Sequence, residues 1–155
     1  MNKSTYLSDS ARNLSQTRTW QTGILQSGVH RDMKKLSDGY LKQYDLTTMH
    51  WFILGAVLDA GDDGIRLTDL AERVGTTLGY LTNAVNNLEL KHMMVRLDHM
   101  SDSRTKILII DPDFRSQCEV IERGLRKLLR EEFYQKVSRE ELQQYVSVLE
   151  KLSAL

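Results

Sequence analysis

Residues 67–90 read LTDLAERVGTTLGYLTNAVNNLEL, and the spacing of their apolar positions decides the fold. Leu67, Leu70, Ala71 and Val74 fall at i, i+3, i+4 and i+7, one face of a helix. Gly75 stands where that helix needs a C-terminal residue able to turn left-handed without a Cβ penalty. Thr76 and Thr77 then offer hydroxyl oxygens to cap a second helix. That helix buries Leu81, Val85 and Leu88 and leaves Thr77, Tyr80, Thr82, Asn83, Asn86 and Asn87 outward. A small residue on the first helix, a glycine in the bend and a leucine on the second are the spacing of a helix-turn-helix.

The outward face is polar without strong charge. Threonine and asparagine are short, both donate and accept, and so suit base edges in a major groove. A face that is only solvated more often carries Glu and Lys, the better helix formers. The residues just downstream reinforce a DNA-binding reading. Stretches 93–98 and 105–110 are rich in β-branched and apolar residues, with a polar tip at 99–104, so a two-stranded hairpin follows the second helix as a wing. Asp111-Pro112-Asp113 ends the sheet, since Pro cannot donate to the ladder and suits a helix start.

Upstream, 1–22 is rich in Ser, Thr, Asn and Gln and reads as a loosely held arm. A helix is expected over 24–44, with Leu25, Val29, Met33, Leu36, Tyr40 and Leu41 on or near one stripe. Thr47 or Thr48 caps a helix over 49–58, and AGDDG at 60–64 is a turn leading to a short strand at Ile65-Arg66. From Phe114 the helical period returns, and Cys118, Ile121, Leu125, Leu128, Leu129, Phe133 and Val137 predict one long helical stripe of roughly 35 Å at 1.5 Å per residue. Ser138 and Glu141 form a capping box before a last helix carrying Leu142, Tyr145, Val146, Leu149 and Leu152. A long apolar stripe outside a small lobe needs a partner, and a second copy of the chain is the expected one.

The fold class is therefore mainly α with a small β wing. Its expected organisation is an arm and dimerisation helix over 1–45, a winged helix-turn-helix lobe over 46–112 and dimerisation helices over 113–155. Lys plus Arg equals Asp plus Glu at 21 each, so there is no overall pull towards nucleic acid. Within 65–110, Arg66, Arg73, Lys91, Arg96, Arg104 and Lys106 face Asp69, Glu72, Glu89, Asp98 and Asp102, which argues against tight non-specific DNA binding. No run of about 18 apolar residues and no signal-peptide core is present, so a soluble, cytoplasmic protein without membrane contact is expected. A lone Cys118 excludes an intramolecular disulfide, and its apolar neighbours suggest a small buried residue.

In this order, the Leu46-Thr47 step, LTDLAERVG, Leu88-Glu89, Asp102-Ser103-Arg104 and SREEL at 138–142 resemble the MarR family of multiple-antibiotic-resistance-type regulators, over about residues 24–155. The resemblance implies an obligate homodimer built by the terminal helices and bound to a pseudo-palindromic DNA operator. It places the second helix of the turn in the major groove and Arg104 at the wing tip in the minor groove, with Asp102 orienting it. Arg96 and Lys106 join Arg104 as the wing's basic residues. Many relatives repress transcription and release DNA on binding a phenolic or aromatic acid. Trp20, His30, Lys34, His50 and Trp51, aromatic or cationic groups near the expected hinge, suit such a ligand. Asn83 stands where relatives often carry Arg, and His92 where a Gly normally follows the recognition helix.

Two other classes compete. A winged-helix protein-interaction module without DNA binding is motivated by the near-neutral lobe. An enzyme has little support: the four histidines are scattered, and HExxH, a phosphate-binding Gly-rich loop and G-x-S-x-G are missing. His92, Asp98 and His99 are better explained as polar wing residues than as metal ligands, and no cofactor is expected.

Overall fold

The structure, a computed structural model, describes residues 18–99 and 102–153, without the side chains of residues 99 and 102–105. The chain divides into two compact units, residues 1–36 and 37–155. In the first, the described part is the leading portion of helix α1 (Thr19–Leu41), with Trp20, Ile24, Leu25 and Val29 exposed and the Arg18 guanidinium 5.6 Å from the Trp20 ring. The helix begins five residues earlier than the expected 24, because Arg18 N–H is received by the Gln21 side chain at 2.8 Å and starts it there. It passes at Leu41 into a tighter 3-10 turn over Lys42–Tyr44. The arm before residue 18 lies outside the described residues.

In the larger unit the end of α1 is followed by α2 (Thr48–Ala60), β1 (Ile65–Arg66), α3 (Leu67–Val74), α4 (Leu78–Leu90), β2 (Met94–His99), β3 (Asp102–Ile110), α5 (Arg115–Leu128) and α6 (Arg139–Ser153). The three strands form one antiparallel sheet in the order β1-β3-β2, with Met94 opposite Ile110 and Leu97 opposite Ile107. The hairpin extends further than expected: Asp102–Arg104 belong to β3, and the register shifts between Asp98 and His99.

One apolar cluster holds this unit together. Ile53, Leu54 and Val57 of α2, Leu70 and Ala71 of α3, and Leu81, Ala84, Val85 and Leu88 of α4 meet Met94, Leu108 and Ile110 of the sheet. Cys118, Ile121 and Leu125 of α5 belong to the same cluster, so this helix completes the winged lobe's core instead of standing outside it. A Cβ on residue 124 would collide with the Tyr40 ring and hydroxyl, so the last turns of α1 meet α5 only because residue 124 has no side chain. Burial and the neighbouring Tyr44 push the Tyr40 phenol up to about 12. No buried side-chain nitrogen or oxygen among the described residues lacks a hydrogen bond.

The single long stripe expected over 114–137 is not one α-helix. After Leu128 the backbone widens into a π-helical turn over Leu129–Phe133, closed by Tyr134 N–H donating to the Leu129 carbonyl at 2.8 Å. Val137 falls in the following turn, where its carbonyl accepts from Arg130 at 3.2 Å. The α-helical part is therefore about 21 Å long at 1.5 Å per residue. The capping box at α6 is present: Ser138 N–H donates to Glu141 Oε2 at 2.8 Å and Glu141 N–H to Ser138 Oγ at 3.1 Å. α6 itself has no buried residue, and Tyr145, Val146, Val148, Leu149 and Leu152 are exposed.

Helix α2 is started by two acceptors. The Thr47 hydroxyl receives His50 N–H, and Asp38 Oδ1 receives both the backbone N–H and the hydroxyl of buried Thr48 at 2.7 Å. Asp38→Ala removes the acceptor that both Thr48 donors share and should cost about 1–3 kcal/mol in urea unfolding. Asp59→Ala, which removes an exposed ion pair with Arg73, should cost less than about 1 kcal/mol.

Candidate nucleic-acid interface

The helix-turn-helix is built by caps that lie within a few residues of one another. Gly75 closes α3 at φ 66° and ψ 42°, as its position in the sequence predicts, and its N–H donates back to Glu72. Thr77 caps α4 by receiving Tyr80 N–H at 3.3 Å. The opposite end of α4 is less ordinary. His92 N–H donates to the Glu89 carbonyl and Met93 N–H to the Leu88 carbonyl, the paired bonds of a left-handed helix stop. The turn residue is His92 at φ 55°, so an imidazole-bearing residue holds the conformation that glycine adopts most easily.

With Leu81, Ala84, Val85 and Leu88 sunk in the core, the other stripe of α4 faces solvent: Thr77, Tyr80, Asn83, Asn86 and Asn87 are exposed and Thr82 is half-buried. Hydrogen bonds already commit part of this face. Thr82 Oγ1 donates to the Leu78 carbonyl at 2.8 Å, so its oxygen is left to accept. Arg96 on β2 is held by the Glu89 carboxylate and by Asn86 Oδ1 at 2.9 Å. Lys106 on β3 pairs with Asp98 across the hairpin. The side chains of Asp102 and Arg104 lie outside the described residues.

Beside α4 runs an open groove of about 650 Å³, lined by Lys42, Asp45, Leu46, Thr47 and His50 on one side and Tyr80, Asn83, Ala84, Asn87 and Lys91 on the other. Lys91 spans it, its ammonium 2.7 Å from both the Asp45 carbonyl and the Asp45 carboxylate. That hydrogen bond and the ammonium's charge hold the Asp45 carboxyl below its usual range. His50 is pulled the other way from a typical exposed imidazole. Burial first, then the Lys91 charge, lower its pKa, with Asp45 partly opposing, while its Nδ1 receives Thr47 N–H at 3.3 Å.

Of the residues expected near a ligand, His50 opens on this groove and Trp51 packs half-buried against the core. Trp20, His30 and Lys34 are exposed in the other unit. Sequence reasoning did not find Lys42, Asp45, Lys91 or the tether from Glu89 to Arg96. The seven-residue spacing from Glu89 to Arg96 across a helix stop is the one signal that could have shown the tether. Among the described residues no three His, Cys, Asp or Glu side chains group as a metal site requires, and no helix is long and apolar enough to cross a membrane. Cys118 is buried, its thiol pushed up to about 11 by desolvation, and is held as an inert core group.

Two variants test these local readings. His92→Gly relieves the left-handed strain, partly offset by a more flexible unfolded chain, and should raise stability by about 1 kcal/mol. A lowered folded-state pKa means that the His50 contribution is complete above the unfolded value of about 6.5 and is lost as pH falls through the folded value. Unfolding midpoints followed downward from pH 7 should therefore fall more steeply for the wild type than for His50→Gln, whose amide oxygen accepts at every pH.

No family model and no curated protein sequence matches the chain. Solved structures do. A MarR variant from E. coli in complex with operator DNA aligns at TM-score 0.72 and 22% identity, over 84% of this chain and 91% of that one. MepR from S. aureus in complex with DNA aligns at TM-score 0.71 and 23% identity, over 85% and 94%. CouR from Rhodococcus jostii RHA1, bound to p-coumaroyl-CoA, aligns at TM-score 0.76 and 18% identity, over 88% and 94%. The fold is thus the winged helix-turn-helix fold of MarR, MepR and CouR.

Proposed function

We propose that the chain is a dimeric, sequence-specific DNA-binding transcriptional regulator of the MarR type. The observation that carries this reading is the two-sided α4: a stripe of four core residues fixes a solvent face of Tyr80, Thr82, Asn83, Asn86 and Asn87 beside a β-hairpin. Two structures with this fold, MarR and MepR, are complexes with DNA. In this reading α4 enters the major groove, Thr77 and Lys106 meet the backbone, and Arg104, oriented by Asp102, reaches the minor groove. The exposed apolar face of α6 supports pairing with a second copy of the chain. A repressor released by a small aromatic or phenolic acid is the proposed regulatory mode, with His50 in the α4 groove as the candidate contact.

The protein-interaction alternative draws on the pairing of Arg96 with Glu89 and Lys106 with Asp98, which leaves the lobe little free positive charge. Salt dependence separates the two. A DNA reader selected on random duplexes loses affinity steeply as salt rises, whereas an interaction module selects no duplex at all.

Symmetry sets the geometry. Two recognition helices on one face of the duplex lie about one turn apart, roughly 34–36 Å, so half-site centres should be about 10 base pairs apart. Inserting five base pairs between them should abolish protection in footprinting although each half-site is intact. Equal protection would mean independent monomers. Leu149→Glu, by placing a charge on the apolar face of α6, should give a folded monomer in light scattering with weakened operator binding.

A further inference from the structure

The bond from Arg96 to Asn86 determines what Asn86 can read. A guanidinium has five N–H donors and no acceptor, so the amide atom facing it must be the oxygen. That assignment does not depend on which way the amide is placed in the coordinates. Asn86 Oδ1 receives Arg96 Nη2 at 2.9 Å, and the Glu89 carboxylate holds the other end of the same guanidinium. The amide is planar and rigid, so its nitrogen points away from Arg96. Asn86 is exposed on the solvent face of α4. An asparagine normally pairs with adenine by donating to N7 while accepting from N6, which needs both amide atoms turned to the DNA.

We infer that Asn86 meets DNA through its amide nitrogen, as a hydrogen-bond donor, and that Arg96 is the positioning residue that turns the amide this way. The inference rests on the DNA-reading function proposed above. The acceptor it meets is a purine N7, guanine O6, thymine O4 or a phosphate oxygen; the oxygen keeps one lone pair, but held on Arg96 it is not turned to adenine N6, so adenine gains no advantage over guanine. Arg96 does not itself touch DNA: its charge is balanced by Glu89, and both side chains are mostly buried, at 31% and 24% exposure. Glu89 thereby sets the polarity of a residue one turn away on its own helix, through a cation on the neighbouring strand.

The test uses full-length wild type, Asn86→Leu and Arg96→Met, each selected on duplexes randomised over about 20 base pairs and then measured by anisotropy across a salt series. Asn86→Leu keeps the side-chain size and leaves Arg96 with Glu89, so it serves even where Arg96→Met fails to fold. For a base contact, Asn86→Leu loses a purine, guanine or thymine preference at one position by about tenfold or more. For a phosphate contact, it weakens every duplex alike with the selected sequence unchanged. Arg96→Met should leave the salt slope as in the wild type and, for a base contact, shift the preference at the Asn86 position towards adenine. Three results overturn the assignment: a preference for adenine over guanine in the wild type that Asn86→Leu removes, an Asn86→Leu profile identical to wild type, or a salt slope reduced by about one in Arg96→Met, which would make Arg96 a direct phosphate contact. If the wild type enriches no duplex, the DNA-reading function fails and takes the assignment with it. Enrichment by wild type with either variant result above overturns the assignment alone.

Discussion

Four side chains of α4 sunk in the core, Leu81, Ala84, Val85 and Leu88, fix the rotation of the helix about its axis. Each fully buried Leu or Val is worth roughly 1.5–3 kcal/mol, so a rotation that exposed the stripe would cost several times any contact on the outer face. The rest of the buried cluster serves that seating. α2 and α3 form the floor, the sheet covers the C-terminal end, and α5 closes the cluster with Cys118, Ile121 and Leu125. The polar face is therefore presented by the core's demand for the apolar one, and its direction does not depend on any partner being present.

Within that face, hydrogen bonds decide which atoms remain to meet a ligand. Thr82 gives its proton to its own helix, and Asn86 gives its oxygen to Arg96. The hairpin is thus coupled to α4 chemically as well as by packing. The ion pairs that achieve this also remove positive charge from the lobe. For the DNA-reading function proposed above, this means less gain from phosphate neutralisation than in a strongly basic protein, with more of the discrimination left to the fit of donors and acceptors.

How much could be read from the sequence follows from the range of the interactions. Gly75, Thr77 and the pair Ser138 and Glu141 act within four residues, and each is where its local pattern indicates. The apolar stripes of α3 and α4 are equally legible because a helix repeats its faces. Three features are not. The π-helical turn at Leu129–Phe133 is closed by a bond spanning five residues, which a period of 3.6 cannot express. The α5 stripe joins the lobe's core because Gly124 admits Tyr40, a contact between distant helices. The Arg96 tether needs the left-handed stop at His92 to bring β2 back beside α4, and histidine carries no local signal for that conformation.

The central claim is that one helix face is reserved for structure and the other for DNA. Side-chain amide and methyl NMR spectra of the protein, titrated with a duplex it selects from a random pool, test it most directly. The account predicts the largest shifts at the amides of Asn83, Asn86 and Asn87 and at the Tyr80 ring, with the methyls of Leu81, Val85 and Leu88 almost unmoved. Shifts confined to α6, or a concerted movement of the core methyls with the asparagine amides unchanged, would contradict it.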